Sequence, residues 1–572
     1  VSGQDRKKYE TATTLDQALL DWCQDNLENR LEATVDITYP GGTIHASDRN
    51  KYVVNAGVGT FYEALTVFPT ITRTVGEWLT PELQFSTLSL ELSNADGRFN
   101  AYLPGGASYA PWVNKGIAVK VGLAEQGATY SRIFKGTITT VAGTGRTVKS
   151  INLVARDDQD AYNQKLPTTA LTAGAYANIE DSNAGKLLPV IYGDWTTALD
   201  PDPAAVPAFV VNGKDPNVVG GTRTNVQLVI CDHNLRSLDT SNVYLRRGGV
   251  FYLAPSGEIA SVGAGNRSFQ VKQTPAGTWI DGAPFEFAAG DEFFVRVLGK
   301  DIGSSYNDNA VWQARDILMT YGGMGSGDFN ANWATFRDKA TPAQSAISTI
   351  KSRVWRQEQI GAVSFALSLL EQVRLEAAFN RNQLFKINSL HFEDWVSAPS
   401  YSVKNWDVAA ETFRLSIDER NNFNRARGSF GYLPSRNENV RATRIQNNAA
   451  SVTQIGKAIS KDIEFPNLYV EADVKAQLVE ILRLSSCFFE IVDCELTWRA
   501  LLLDLGDFVA LNVQIGSTIF SGVPAMIRDL GYNPQGFKLP VKLWCFAMCP
   551  FPGYTPGYAG TVGGYAATIT EE

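Results

Sequence analysis

The chain has 572 residues, 44% hydrophobic and 11% aromatic, with 49 glycines, 24 prolines and a formal net charge of −8. That composition excludes a disordered chain, and the length allows roughly three to four domains with sizeable cores. The acidic balance argues against tight binding to nucleic-acid phosphates, and no apolar run approaches the ~18 residues of a membrane span.

The amino terminus, VSGQDRKKYETATT, is polar and lacks a secretory apolar region, so a soluble cytoplasmic product is expected. Thr14-Leu15-Asp16-Gln17 fits a capping box and predicts an amphipathic helix to Leu31, capped by Thr14. Ala33, Val35, Ile37 and Tyr39 then alternate, and Pro40-Gly41-Gly42 supplies a turn. A further alternating strand (Leu83, Phe85, Leu88, Leu90, Leu92) runs into Asn94-Ala95-Asp96-Gly97. Asn and Asp tolerate left-handed backbone angles there, and Gly meets no steric penalty. Strand patterns follow at 116–121 and 134–138. Turn and strand at this spacing read as the wall of an antiparallel barrel or sandwich, running to about residue 165.

Residues 186–300 read as a small inserted β-domain, with runs at 208–211, 227–230, 243–245 and 292–297 between glycine-rich turns. Its aromatics Tyr244, Phe251, Tyr252 and Trp279 fit either sugar stacking or ordinary packing. Helical spacing appears over 308–321, stopped by Gly322-Gly323, and again over 342–350 and 364–377. Asn380-Arg381-Asn382 between two apolar runs predicts a hairpin over 379–390, which makes 301–400 an α+β connector. From about 401 to 550 β-patterns resume around one helix over 471–484, with Val474, Leu478, Ile481 and Leu482 on one face. The Pro/Gly/Tyr stretch 550–564 reads as an extended arm or as a frayed end.

Residues 506–522 partly echo the first wall. Gly506 to Leu511 and Phe520-Ser521-Gly522 follow the type and order of Gly116 to Val121 and Phe134 to Gly136. The Gly-to-Phe separation is 18 residues in the first and 14 in the second. One barrel topology used twice explains the echo, as does chance similarity between glycine-bounded strands.

Signals for catalysis are sparse. The three histidines, His45, His233 and His391, are far apart, and no Gly-x-Ser-x-Gly elbow accompanies them. There is no phosphate-binding loop and no strand–Gly-x-Gly-x-x-Gly–helix unit, and 322–327 reads as a linker. The 59 acidic residues are too many for close pairs in sequence to indicate a glycosidase. Among the six cysteines, Cys23, Cys231, Cys487, Cys494, Cys545 and Cys549, the last four have spacings that match metal-ligand runs poorly. Trp544 and Phe546 beside Cys545 suggest core packing, and a cytoplasmic product is not expected to carry disulfides. No catalytic, cofactor-binding or metal-binding residue is assigned.

The pattern Leu92-x-Asn94-x-Asp96-Gly97-Arg98-Phe99, then Gly116-x-x-Val119-x-Val121, then Phe134-x-Gly136-x-Ile138, resembles the central tail hub (tail-tip or baseplate hub) proteins of long-tailed bacteriophages and gene transfer agents. Leu188-Pro189-Val190-Ile191-Tyr192-Gly193-Asp194 is similar to the segment that follows the first barrel in such proteins. The resemblance implies a virion structural protein rather than an enzyme. Its implied fold is mainly β with α+β parts: two tail-tube-like β-barrels, an inserted small β-domain and an α+β connector. The expected division is 1–165 (helix and first barrel), 166–300 (inserted domain), 301–400 (connector), 401–550 (second barrel) and 551–572 (tail). It also implies a homotrimer at the virion tail tip, assembled in the host cytoplasm, that steps a six-fold tube down to three-fold. The implied neighbours are a distal tail protein ring, a tape-measure protein and tail-tip fibre or receptor-binding proteins, with DNA passing without specific binding. Some tail-tip proteins carry an iron–sulfur cluster, which keeps Cys487, Cys494, Cys545 and Cys549 in view. The alternative is a wall-binding or wall-degrading tail component.

Overall fold

The computed structural model describes residues 31–545 and 569–571, leaving aside 75–85, 274–284, 335–349, 392–398 and shorter internal stretches. The expected helix capped by Thr14, nearly all of the 342–350 helix, the 550–564 tail, Leu83, Phe85, Trp279, Cys23, Cys487 and Cys549 lie outside the described residues. The protein is mainly β, with a few helices.

The alternating segments assemble into one long sheet. From one end its strands run Arg414–Asp418, Phe489–Thr497, Lys538–Cys545, Val523–Tyr532, Thr70–Thr74, Thr87–Ser93, Ser150–Asp157, Tyr130–Ala142, Gly116–Leu123, Leu31–Tyr39, Gly42–Ser47, Val58–Ala64 and Lys51–Asn55. Successive side chains of a strand point to opposite faces, so Leu88, Leu90 and Leu92 go inward while their neighbours face out. The expected turn after Leu92 forms: Gly97 N–H donates to Asn94 O at 2.9 Å, and Gly97 sits at φ 72°.

Early and late parts of the chain meet on Val523–Tyr532. The first half of this strand pairs with Phe508–Asn512, Val509 opposite Ala525. Its second half pairs with Thr70–Thr74, Leu530 opposite Arg73. One apolar core then serves both regions, with Val35, Val119 and Phe134 in the same cluster as Val509, Ile527 and Leu543.

The early region closes on itself. Leu65 N–H donates to Ser47 O, Ser93 N–H donates to Leu65 O, and Thr66 bridges to Leu92, so the Gly42–Ser47 and Thr87–Ser93 strands are joined around a barrel. The hairpin of Lys51–Asn55 and Val58–Ala64 projects from that rim, because Val58–Ala64 pairs with Gly42–Ser47 only at Glu63 and Ala64. The late region is drawn together in the same way: Tyr401–Lys404 pairs with Phe508–Asn512, and just beyond it Val408 bridges to Leu496 and Ala409 N–H donates to Glu495 O at 2.7 Å. Arg414–Asp418 extends from it as an edge, with Phe489–Thr497 its one ladder partner among the described residues.

A second core lies against the other face of the seam. It gathers the helices Ala310–Thr320, Ala362–Glu371 and Glu471–Ser485, and takes Met526 and Trp544 from the sheet. Asn309 caps the first helix by accepting from the Val311 and Trp312 N–H groups. The helix expected over 364–377 is a correction. It ends at Glu371, Arg374 turns at φ 58°, and Leu375–Phe379 is a strand paired with Phe385–Ser389. Apolar spacing at Leu375 and Ala377 suits either state, and the hairpin partner decides it. A third core fills the seven-stranded sheet built from 206–298, which includes all four expected runs of that region. No described helix is long and apolar enough to cross a membrane.

Candidate functional site

Two features stand out when the molecule is read for chemistry or contact: a hairpin wedged behind the seam, and the ends of the long sheet. The wedge is the 375–389 hairpin. Glu376 accepts from Arg528 at 2.7 Å, with both side chains almost wholly buried, and the Arg528 guanidinium lies 4.3 Å from the Trp544 ring centre. Arg528 falls within the irregularity between Ile527 and Asp529, where the strand's register against Lys538–Cys545 shifts. A bulge of this kind re-aims a side chain, here into the helical core.

The tip of the wedge is gripped from both regions. Asp504 accepts from Arg73, whose second amino group donates to Phe379 O at 2.7 Å, and Asp504 also accepts from Arg381 N–H at 3.1 Å. Lys386 Nζ donates to Asp507 at 2.6 Å, and Arg132 donates to Asn382 O. Charged pairs this buried hold geometry rather than add much net stability, because their desolvation offsets the attraction. They tie connector, early barrel and late sheet into one unit.

The ends of the sheet carry exposed apolar side chains. On the projecting hairpin Tyr52 and Phe61 are direct cross-strand partners, 63% and 52% exposed. The opposite face of that hairpin is anchored: Tyr62 Oη donates to Asp36 at 2.9 Å, beside His45 at 2.8 Å and Lys120 at 3.0 Å. Burial would raise the Asp36 carboxyl, but hydrogen bonds from His45, Lys120 and Tyr62 hold it below the usual range. Burial, with Asp36 beside it, pushes the Tyr62 phenol up. At the other end of the sheet, Leu415 on the terminal strand is 45% exposed, and Trp406, in the segment leading to the Val408–Leu496 bridge, is 61% exposed. Exposed strand edges flanked by apolar side chains are natural places for another chain to add.

The histidines stay apart in function. His45 belongs to the Asp36 cluster, and His233 Nε2 accepts from Ile191 N–H at 3.0 Å. His391 is buried 3.1 Å from Val373 O and 3.7 Å from Glu480. Cys231, Cys494 and Cys545 are buried free thiols, pushed up by burial, Cys494 to about 12. Among the described residues no group of three or more His, Cys, Asp or Glu is placed to hold a metal ion. Tyr244, Phe251 and Tyr252 lie on the seven-stranded sheet, where Arg296 covers Tyr244 and Arg246 lies over Phe251 and Phe294.

The echo between 116–138 and 506–522 is only partial in space. Both hairpins feed the same core, yet the two glycines differ in role. Gly506 sits at φ 75°, where a Cβ would stand 2.1 Å from Asn388 Nδ2, whereas a Cβ on Gly116 meets nothing closer than 3.8 Å. Phe134 lies within its strand opposite Val119, while Phe520 precedes the strand that begins at Val523. The hairpin expected over 379–390 forms, its first strand beginning at Leu375. Its wedging and grip were not foreseen from sequence, since Arg528, Asp504 and Arg73 reach it from more than a hundred residues away, and neither was the projection of the Lys51–Ala64 hairpin.

No family model matches the sequence, and the comparison with curated proteins gives no match. Solved structures give distant likenesses. The 43 kDa tail protein of prophage MuSo2 from Shewanella oneidensis has 10% identity and a TM-score of 0.39, over 90% of this chain and 98% of that one. Prophage tail protein gp18 from Listeria monocytogenes has 8% identity and a TM-score of 0.36, over 90% and 94%. A chain in the virion of a native gene transfer agent particle has 11% identity and a TM-score of 0.34, over 67% and 89%. Likenesses at these scores carry no inference about function.

Proposed function

We propose that this chain is a virion structural protein: the central hub at the distal end of a phage-type tail, built from three copies. The observation that carries the reading is the long sheet itself, made by early and late parts of the chain and ending in a projecting aromatic hairpin at one end and the Arg414–Asp418 edge at the other. Such ends are a liability in a lone subunit and an asset in one whose neighbours cover them. Head-to-tail contacts of this kind generate rings when the rotation closes. Three copies, each with an early and a late wall, present six similar faces and can step a six-fold tube down to a three-fold tip. The reading assigns a distal tail ring and a tape-measure protein to one side, with fibre or receptor-binding proteins on the other. DNA would pass a lumen that, given the net charge of −8, need not hold it. The resemblance in residues 88–138 and 186–194 supports the same assignment.

Electron microscopy of the purified chain tests the proposal. Three-fold rings with a central opening are expected. A uniform field of isolated single-copy particles at all concentrations would contradict it.

A further inference from the structure

The seven-stranded sheet carries a groove unrelated to the assembly contacts. It measures about 420 Å³ and lies between the sheet's outer face and the segment that precedes it. Its polar face follows the ladder: Gln227 is opposite Gln270, and Gln270 is opposite Ser261, so two amides and a hydroxyl line one row across three strands. Ser268, opposite Val229, continues the next row. The Gln270 side-chain oxygen accepts from Asn225 Nδ2 at 3.3 Å, which leaves its amide N–H groups for the groove. Leu188, Val211 and Val229, all buried, form an apolar floor, and half-buried Tyr176 lines the groove beside them. The two charged lining residues, Asp232 and Arg267, are of opposite sign. Asp232 accepts from the Thr169 hydroxyl, and Arg267 donates to Asp232 O at 3.3 Å.

From this we infer that the groove binds a neutral saccharide. A sugar offers an apolar ring face and a rim of hydroxyls, each both donor and acceptor. The groove offers an aliphatic floor, an aromatic wall, and uncharged amide and hydroxyl groups in register. A volume of this order lies within the range of small-molecule sites. With one carboxylate and one guanidinium among its lining residues, the groove has no net charge to favour an anionic ligand. The outer strand of the groove, Ile259–Val262, ends its sheet, so a glycan chain can run past the edge without ending inside it. The inference does not depend on how the chain assembles.

Saturation-transfer NMR on the full chain, with maltotriose, chitotriose and a sulfated oligosaccharide as probes, tests it. Transfer to at least one neutral trisaccharide is expected, with a dissociation constant raised about tenfold by Gln227→Ala with Gln270→Ala, the loss of one or two hydrogen bonds. Tyr176→Ala should weaken binding further. Thermal unfolding should be unchanged in the Gln227→Ala single variant, since that side chain is exposed. No transfer to either neutral probe, equal transfer in the double-glutamine variant, or preference for the sulfated probe would each overturn the assignment. None of these results depends on whether rings form, so failure here and failure of the hub reading are separable.

Discussion

Gly97 and Gly506 hold the left-handed backbone at two corners of the wall, and Gly116 does not. Replacing Gly97 with Val forces a branched side chain into φ 72° and against Asn100 Nδ2 at 2.9 Å. A loss of about 1–3 kcal/mol is expected by urea unfolding. Gly116→Ala should stay within roughly 0.5 kcal/mol of the parent. Equal effects at the two positions would contradict the turn assignment. Asp157 tests the buried polar side of the fold. Burial raises its carboxyl to about 6, although the N–H groups of Ser86 and Gln159 and the charge of Arg73 pull the other way. A group raised in the fold stabilises it fully below its unfolded value near 3.8, and that contribution is lost as pH rises through about 6. Carboxylates held low, such as Asp36 and Asp202, slope the opposite way, so the informative quantity is the difference from Asp157→Asn. That difference should change between pH 4 and 6 and level off above it. A pH-independent difference would contradict a buried, titrating Asp157.

At the scale of elements, what was legible follows from local signals. The alternation at Leu88, Leu90 and Leu92, the turn at Gly97 and the stripe on the Glu471–Ser485 helix are each set by neighbours in sequence. The helix expected over 364–377 failed because its second half is claimed by Phe385–Ser389, a partner that periodicity cannot weigh. The surfaces proposed for contact and the buried charge pair were illegible because each depends on where the fold places the side chain. Tyr52 opposite Phe61 looks like any strand aromatic until the hairpin is seen to leave the barrel. Arg528 looks like a surface charge until the bulge turns it onto Glu376. The wedge makes its own prediction. Arg528→Met strands the Glu376 carboxylate and should cost about 3–5 kcal/mol, whereas Arg528→Met with Glu376→Met should recover most of that loss. Additive losses in the unfolding cycle would show that the pair is not coupled. Tyr52→Ser with Phe61→Ser should leave the far-ultraviolet spectrum and unfolding midpoint of the chain intact while weakening self-association. Unchanged association would remove the hairpin from the interface.

The whole molecule joins three layers. A wall shared by early and late segments supplies the ends, a wedge of buried charge fixes the two walls to each other, and the seven-stranded sheet carries a polar groove of its own. Rigidity between the walls matters because a ring closes only if every subunit holds the same angle. The charge pairs at Arg73, Lys386 and Arg528 supply that rigidity. The most direct test is the mass of the purified chain in solution by light scattering across a concentration series. A species three times the 62.5 kDa of one chain is expected, dissociating on dilution or on loss of Tyr52 and Phe61. A mass of one chain at every concentration, or a two-fold species unaffected by those substitutions, would contradict it.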